Sequence, residues 1–445
     1  MKNIENRISL LFYRMKAKII FGFYVVITVL TTVELCAQAP YGWRGPARNG
    51  EYLETGLLKS WPEDGPKLLW EISDAGKGYS SPVVAGDRIY VTGVNQDETK
   101  EILSEYSLSG QKIFQIEYGS PWAFTYPDTR TTPTISDGKA YMISGGGEIV
   151  CVDLQSRTVL WSVNGGKDFE RKTGNWGTSE SPLVFDNKVI YTPSGDQTTM
   201  VALDAQTGSV VWKSKPLNDI GTYMSPMLIE WKGKRQIVGS TSVHVIGVNP
   251  NYGDIEWRFG EWGVPPKPYP AERILGSAMQ VNIAPNTPLF KDGCLFFSQG
   301  NDIGGFMLQL NEHLTEAVLL WKNDDLDTFH GGYVLVDGTI YGSSWITNTQ
   351  GNWIAVDWNT GETKYNQPWE GGKSKGAIIT ADGMLYCYDD RRGFVGLVKP
   401  DFQKFNVISE FRITLGDGPH WAHPVIHQGV LYIRHGNALM AYQIK

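Results

Sequence analysis

The sequence predicts an all-β protein: an eight-bladed β-propeller of four-stranded blades whose ring is closed by an N-terminal strand. Three observations lead to this prediction. One strand pattern recurs eight times, a second pattern ending in an aromatic residue recurs in step with it, and the last repeat stops one strand short. The 445 residues include 50 Gly, 16 Trp and 21 Tyr, and only 20% are charged, which is typical of a strand-and-turn protein.

The first marker is a short strand such as DRIYVTG, GKAYMIS or GVLYIRH, preceded in most copies by a proline segment such as SSPVV, TTPTI or AHPVI. Spacings of 45 to 59 residues separate the matching positions, which are Tyr90, Tyr141, Ile190, Ile237, Phe296, Tyr341, Tyr386 and Tyr432. Four strands in a unit of about 45 residues are the signature of a propeller blade.

The second marker is a strand, a turn and a further strand that ends in an aromatic residue, as in MVALDAQTGSVVW. The turn often carries a glycine, which supplies a positive φ. We expect the terminal rings to pack between neighbouring blades. The predicted blade-docking residues are Trp70, Phe114, Trp161, Trp212, Trp257, Trp321, Tyr365 and Phe411.

The chain ends at Lys445 with GVLYIRHGNALMAYQIK, which is two strands without the final aromatic strand. The spare strand, PKLLWEI with Trp70, lies upstream of the first repeat. We expect it to complete the last blade and to close the ring, which removes free sheet edges between the first and last repeats. The predicted division is a signal peptide at 1–37, an extended arm at 38–66 and the propeller at 67–445.

The N-terminus reads as a secretory signal: Lys16 and Lys18, then an apolar run from Ile19 to Val33, then small residues. We expect cleavage near Ala37–Ala39, with lipidation of Cys36 as the alternative. Removal of residues 1–37 changes the formal net charge from −7 to −10, which disfavours nucleic acid as a partner. The prediction is an exported chain without a transmembrane segment, either periplasmic, outer-membrane associated or secreted.

The blade ending ALDAQTGSVVW resembles the tryptophan-docking repeat of the pyrroloquinoline quinone (PQQ)-like propellers. That superfamily includes quinoprotein alcohol dehydrogenases and the lipoprotein propeller BamB of the outer-membrane β-barrel assembly machinery. The segments WRGPARNG, GYSSPVV, ADGMLY and WAHPVI resemble an exported bacterial branch of it. The likeness extends from about Trp43 to the C-terminus and implies the fold rather than an activity.

The resemblance also implies what a quinoprotein dehydrogenase needs: an adjacent cysteine pair, Glu and Asn ligands for Ca²⁺, and a catalytic Asp. The sequence has no Cys-Cys pair, and its acidic and amide residues near blade starts are Glu180, Asn282, Asn286 and Asp327. Because most of the set does not carry over, no cofactor is predicted, and PQQ with Ca²⁺ is the alternative. No metal site is predicted either, because His420, His423 and His427 lack the spacing of a zinc motif.

Polar and aromatic residues just before the innermost strands are the candidates for a site, because they ring the mouth of the central channel. They are Arg130, Trp176, Glu180, Tyr223, His330, Lys375, His420, Trp421 and His423. Such a ring suits a polar, planar or sugar-like ligand. Arg130 and Lys375 are candidates to hold a carboxylate, and Glu180 and His330 are the candidate catalytic acid and base.

Two classes of function follow from these observations. The first is a non-catalytic binding or scaffold protein of the cell envelope, whose propeller face binds an envelope protein or a glycan. The alternative is an enzyme that works in the channel mouth, either a PQQ-dependent oxidoreductase or a carbohydrate-active enzyme. The first is the primary prediction, because the scaffold is complete and no catalytic motif is recognisable in the sequence.

Overall fold

The computed structural model describes residues 39–174, 176–260, 285–300 and 302–445. Within these ranges the chain forms eight sheets, and each contains four consecutively paired antiparallel strands. The prediction of an all-β, eight-bladed propeller is therefore confirmed. The predicted signal peptide, Cys36, Asn282 and the inserted loop at 261–284 lie outside the described residues.

The strands are as follows, from the centre of each blade outwards. The inner strands are β3 (Val83–Ala85), β7 (Thr134–Ser136), β11 (Leu183–Phe185), β15 (Met227–Trp231), β19 (Leu289–Lys291), β23 (Tyr333–Val336), β27 (Gly376–Ala381) and β31 (Val425–His427). The second strands are β4 (Arg88–Val94), β8 (Lys139–Ile143), β12 (Lys188–Tyr191), β16 (Lys234–Ser240), β20 (Cys294–Gln299), β24 (Thr339–Ser343), β28 (Met384–Asp389) and β32 (Val430–His435). The third strands are β5 (Glu101–Ser107), β9 (Glu148–Asp153), β13 (Val201–Asp204), β17 (Val245–Val248), β21 (Gly304–Leu310), β25 (Trp353–Asp357), β29 (Phe394–Lys399) and β33 (Ala438–Gln443). The outer strands are β6 (Lys112–Gly119), β10 (Thr158–Asn164), β14 (Val210–Lys213), β18 (Ile255–Phe259), β22 (Ala317–Asn323), β26 (Thr363–Gln367), β30 (Asn406–Arg412) and β2 (Lys67–Ile72), and a short helix, α1 (Gly165–Phe169), follows β10.

The ring closes as the sequence predicts. Strand β2 pairs antiparallel with β33, so that Trp70 lies opposite Ala441 and Leu68 opposite Tyr442. The last blade thus takes its outer strand from the N-terminal side of the chain and its other three strands from the C-terminus. Joining the two ends of the chain in one sheet leaves no gap in the circle of blades.

Aromatic rings at the ends of outer strands contact the turn of the next blade. The Trp161 indole N–H donates to the Ala205 carbonyl at 3.1 Å, and the ring lies against the turn residue Gly208, whose φ is +72°. Trp70 lies against Gly110, Trp212 against Gly253 and Trp321 against Gly361 in the same way. A glycine serves two needs there, because it accepts the positive φ and leaves room for the ring.

Every described outer strand carries an irregularity close to its aromatic residue. In β10, for example, the pairing register shifts between Val159 and Trp161. The bulge leaves neighbouring aliphatic side chains such as Val159 and Leu160 exposed while Trp161 is buried. Bulges twist an edge strand and hinder its pairing with other chains, so the blade edges are protected at regular positions.

The segment before β2, the arm at residues 40–66, runs into the central channel. Tyr41 pairs with Ile135 on the inner edge of blade two, and β1 (Glu51–Tyr52) pairs in parallel with the last residues of β27 in blade seven. The Glu54 carboxylate then accepts the Gly429 N–H at 2.8 Å, in the turn after β31. We call this end of the channel the turn side and the opposite end, where the inner strands begin, the mouth.

Two arginines of the arm connect the inner strands of several blades. Arg48 donates to the carbonyls of Ser181 at 3.1 Å and Pro226 at 3.0 Å. It also donates to the Pro182 carbonyl and to the Thr134 hydroxyl. One side chain reaches blades two, three and four in this way only because the inner strands converge on the channel axis. Burial lowers the pKa of Arg48 to about 10, so it stays charged at neutral pH.

Arg44 makes the matching contacts on the other side of the channel. Its guanidinium donates to the carbonyls of Tyr333 and Ile378, in blades six and seven, and to Asn49 within the arm. It also donates to Nδ1 of His423 at 3.0 Å. The arm therefore occupies part of the channel on the turn side.

Candidate functional site

A series of hydrogen bonds links the starts of the inner strands in five consecutive blades, from blade eight through blades one to four. The segments before the inner strands are linked from blade to blade: His423 N–H donates to the Ser81 hydroxyl, Ser81 N–H to Thr132, Thr132 N–H to Ser181 and Ser181 N–H to Ser225, all at 2.9–3.1 Å. In blades one to four the Ser or Thr before the proline therefore fixes the start of the inner strand.

A buried polar cluster lies at the blade-seven side of the mouth. Lys375 Nζ is 3.2 Å from Asp390 Oδ2, and both side chains are about 5% exposed. Lys375 also donates to the carbonyls of Thr347 and Asn348. His330 Nε2 is 3.7 Å from the same Asp390 oxygen, and its side chain is 25% exposed.

The protonation states in this cluster follow from its burial. Burial raises the pKa of Asp390 to about 6 although Lys375 opposes the shift. Burial and the nearby Lys375 lower the pKa of His330 to about 3, so its imidazole is neutral at pH 7. Asp390 Oδ1 and His330 Nε2 are buried and make no hydrogen bond within the described part of the chain. These two atoms are the unpaired polar groups of the cluster.

Aromatic rings form a wall beside the cluster. The Trp421 ring lies 5.2 Å from His330, 4.8 Å from Tyr79 and 5.1 Å from Tyr126, measured between ring centroids. Phe329 continues the wall on the other side of His330, at 5.7 Å. These rings offer apolar area directly next to unpaired polar atoms.

The wall extends from Phe329 in two directions. Trp176 lies 6.3 Å from Phe329 and 5.7 Å from Tyr223, and Trp345 is stacked against Phe329 at 6.2 Å. Of the residues that the sequence singled out, the structure therefore brings Trp421, His330, Trp176 and Tyr223 into one aromatic row.

The other candidates have different surroundings. Arg130 donates to the carbonyls of Thr125 and Tyr126, which places it at the edge of the wall. His420 Nδ1 is hydrogen-bonded to the Tyr388 hydroxyl at 2.6 Å, and the His420 ring stacks on the His435 ring with 3.6 Å between centroids. It belongs to the interior between blades seven and eight.

His423 lies beneath His330. Because Arg44 donates to its Nδ1, the proton of the neutral ring is on Nε2, which donates to the His330 carbonyl at 2.9 Å. Burial and the Arg44 charge lower the pKa of His423 well below its usual value. His423 thus connects the arm to the backbone of the polar cluster.

Glu180 is not paired with His330. Its carboxylate accepts the Thr192 N–H at 3.1 and 3.2 Å and the Thr192 hydroxyl at 3.2 Å, and it is only 3% exposed. Burial raises the pKa of Glu180 to about 8. Among the described residues no hydrogen bond, ion pair or ring contact joins the two predicted catalytic groups. Their joint action as acid and base stays a prediction without geometric support.

Asp390 was missed at the sequence level. The sequence feature that could have indicated it is the Asp-Asp pair in CYDDRRG. The first residue of the pair, Asp389, accepts the backbone N–H groups of Ser374 and Arg392, both at 2.7 Å, and so shapes the turn after β28. Asp390 N–H then donates to the Lys375 carbonyl at 2.9 Å. Because Asp389 holds this turn, Asp390 lies against the residues that precede β27.

Glu180, Asp327 and Asn286, the described candidates for calcium ligands, make hydrogen bonds within the chain. The Glu180 carboxylate is committed to Thr192, and the Asp327 carboxylate accepts three backbone N–H groups at residues 302–304. Asn286 donates its amide N–H to the Phe329 carbonyl at 2.9 Å, whereas its Oδ1 is buried and makes no hydrogen bond among the described residues. Within the described ranges no three His, Cys, Asp or Glu side chains gather as a metal site would require.

Comparisons with known proteins place the chain in a family. The family model described as outer membrane protein assembly factor BamB matches residues 99–367, more than half of the chain. The chain belongs to this PQQ-like, BamB-type propeller family. The BamB of Alkalilimnicola ehrlichii is 24% identical over 182 residues, which span 41% of this chain and 43% of that relative's length.

Solved structures share the fold with this family member. BamB from Moraxella catarrhalis matches with a TM-score of 0.58 at 15% identity, over 85% of this chain and 99% of that one. Quinohemoprotein alcohol dehydrogenase from Comamonas testosteroni matches with a TM-score of 0.62 at 11% identity, over 90% of this chain and 79% of that one. One neighbour is named BamB and the other an alcohol dehydrogenase, so the shared fold does not decide between a scaffold and an enzyme.

Proposed function

We propose that the protein is a non-catalytic binding propeller of the cell envelope and that its mouth binds a glycan. One observation carries the proposal: the Trp421 ring lies against His330, whose Nε2 and the neighbouring Asp390 Oδ1 are unpaired. A sugar ring presents an apolar C–H face and directional hydroxyl groups. An aromatic ring beside an unpaired acceptor and an imidazole nitrogen matches both features.

The cluster is suited to binding neutral hydroxyl groups. Lys375 and Asp390 neutralise each other, so a ligand hydroxyl that reaches the buried Asp390 Oδ1 donates to it without the entry of a second charge. The wall of Trp421, Phe329 and Trp176 then covers the saccharide. An export route agrees with this role: the basic, apolar and small residues at 1–39 have the pattern of a secretory signal. Within the described residues no helix has the length and apolar composition of a membrane span.

Membership of the BamB family favours a second candidate, a scaffold that binds an envelope protein. Adjacent outer strands β10 and β14 expose Val159, Leu160, Val210 and Val211, each more than 40% accessible. Such aliphatic pairs on neighbouring blades offer apolar contact area to a protein. This surface lies on the outer strands, whereas the glycan proposal concerns the mouth.

The test is a titration of purified residues 38–445, the mature chain that the predicted signal cleavage would leave, with neutral, acidic and amino-sugar oligosaccharides and with peptidoglycan fragments, read by calorimetry. We expect saturable binding of at least one class. Trp421→Ala should weaken it about tenfold, which is ~1.4 kcal/mol, and Trp421→Phe should retain most of it because the stacking face is kept. Asp390→Asn should weaken it as well, and Asp97→Asn, on the exposed loop after β4, is the matched control.

Two results would contradict the proposal. Binding that is equal in Trp421→Ala and the unsubstituted chain would place the ligand elsewhere. Turnover of a bound oligosaccharide, lost in Asp390→Asn and in His330→Ala, would show that the mouth is catalytic and would establish the enzyme alternative.

A further inference from the structure

A cavity lies at the turn side of the channel, beside the arm. Its volume is about 260 Å³, and it lies between the arm and the inner strands of blades eight and one. The strand residues that line it are Pro82, Val83, Val84, Val425, Ile426 and His427, and the apolar arm residues are Tyr41, Pro46, Ala47, Tyr52 and Leu53. The lining is mainly aliphatic and aromatic.

Among the described residues, the inner strands next to this cavity lack a main-chain partner on their channel side, whereas the arm supplies one to the inner strands of blades two and seven. It pairs with blades two and seven through Tyr41 and β1, and its two arginines bond to carbonyls of blades three, four, six and seven. Within the described part of the chain, β3 and β31 pair only with the second strands of their own blades. Their channel-side edges face the cavity.

The rim of the cavity adds a charge preference. Glu51 and Glu54 line it, and neither belongs to an ion pair among the described residues, although Glu54 accepts backbone N–H groups after β31. His427 Nε2 is buried there without a hydrogen bond. Beside them the Leu53 side chain is 92% exposed and offers apolar contact area next to the rim.

We propose that this cavity is a docking site for an extended peptide segment of a partner protein. An apolar side chain of the peptide fills the cavity and contacts Leu53, and the peptide main chain pairs with the open edge of β3 or β31. A lysine or arginine beside the apolar residue faces Glu51 and Glu54. The arm already binds in this manner to the blades on either side, so the peptide completes a pattern that the chain uses itself.

The test uses the full mature chain and a fluorescein-labelled pentapeptide, Thr-Phe-Val-Lys-Thr, read by fluorescence polarisation. Two altered peptides accompany it, one N-methylated at the central valine and one with Glu in place of Lys. Ala47→Trp fills the cavity from an exposed position of the arm, so the fold is retained. Ala123→Trp, at an exposed position on the mouth side, is the matched control.

We expect saturable binding of the parent peptide that Ala47→Trp weakens at least tenfold and Ala123→Trp leaves unchanged. N-methylation should weaken it by a similar factor, because a main-chain donor is lost, and Glu should weaken it through repulsion by the rim. Absence of saturable binding, or binding that Ala47→Trp does not change, would overturn the proposal. Equal affinity of the N-methylated peptide would overturn the pairing with β3 or β31. Failure here leaves the glycan proposal untouched, because that site is at the mouth.

Discussion

The contact between a docking aromatic and the turn of the next blade is open to a quantitative test at Gly208. Its φ is +72°, and a Cβ there would lie 2.7 Å from Trp161 Cδ2 and 2.8 Å from Cε3. Gly208→Ala therefore carries the left-handed strain of a non-glycine residue, roughly 1–2 kcal/mol, and an overpacking cost of roughly 1–3 kcal/mol. Gly233 is the matched control, because its φ is +76° and a Cβ would meet nothing within 4 Å.

Gly208→Ala should thus lower the free energy of unfolding by about 1–3 kcal/mol more than Gly233→Ala. The assay is guanidinium unfolding followed by tryptophan fluorescence and by circular dichroism, with both variants in parallel. Replacing Trp161 by Leu should remove most of the excess cost of Gly208→Ala, because the clashing ring is gone. Equal destabilisation by the two alanines, or an excess that persists without Trp161, would refute the idea that the ring fixes this turn.

Three further predictions concern the channel. Arg44→Lys and Arg48→Lys should each lower the free energy of unfolding in guanidinium by about 2–3 kcal/mol, because an ammonium cannot reach carbonyls in several blades as the guanidinium does. Arg258→Lys, at an exposed position, is the control. An equal loss of stability in the control would contradict this prediction. Because burial raises the pKa of Glu180 from 4.5 to about 8, the folded state holds its proton more tightly than the unfolded state. The contribution of Glu180 to stability is present below about pH 4.5 and is lost as the pH rises to 8. Glu180→Gln should therefore flatten the plot of unfolding free energy against pH between pH 5 and 8. An unchanged slope in that plot would contradict the prediction. Titration of the mature chain with PQQ and Ca²⁺, read by cofactor absorbance and thermal shift, should give no saturable binding, and micromolar saturation would revive the oxidoreductase alternative.

The fold could be predicted from the sequence because the blades repeat. A recurring strand with a period in the forties determines the number of blades, and the missing last strand determines how the ring closes. The turns were harder to predict. In blade two the turn residue with positive φ is Arg157, and before β22 it is Leu314. Tertiary contacts impose these conformations: the Arg157 guanidinium, for example, lies 5.1 Å from the centre of the Phe114 ring.

The site could be predicted only in part. Residues before inner strands, such as Trp421, His330 and Lys375, are recognisable because the repeat places them at the mouth. Asp390 follows a second strand, so the same rule does not reach it. Arg44 and Arg48 lie in a segment without periodicity, and their partners in the blades are between 86 and 379 residues away in the sequence. Nothing local in WRGPARNG indicates which blades those arginines join.

The most direct test of the central claim is a crystal structure of the mature chain with the best-binding oligosaccharide from the titration. The account predicts a sugar ring against Trp421, with hydroxyl groups on Asp390 Oδ1 and His330 Nε2 and the arm unchanged below. Density for the saccharide on the outer strands, or on the turn side of the channel, would contradict it.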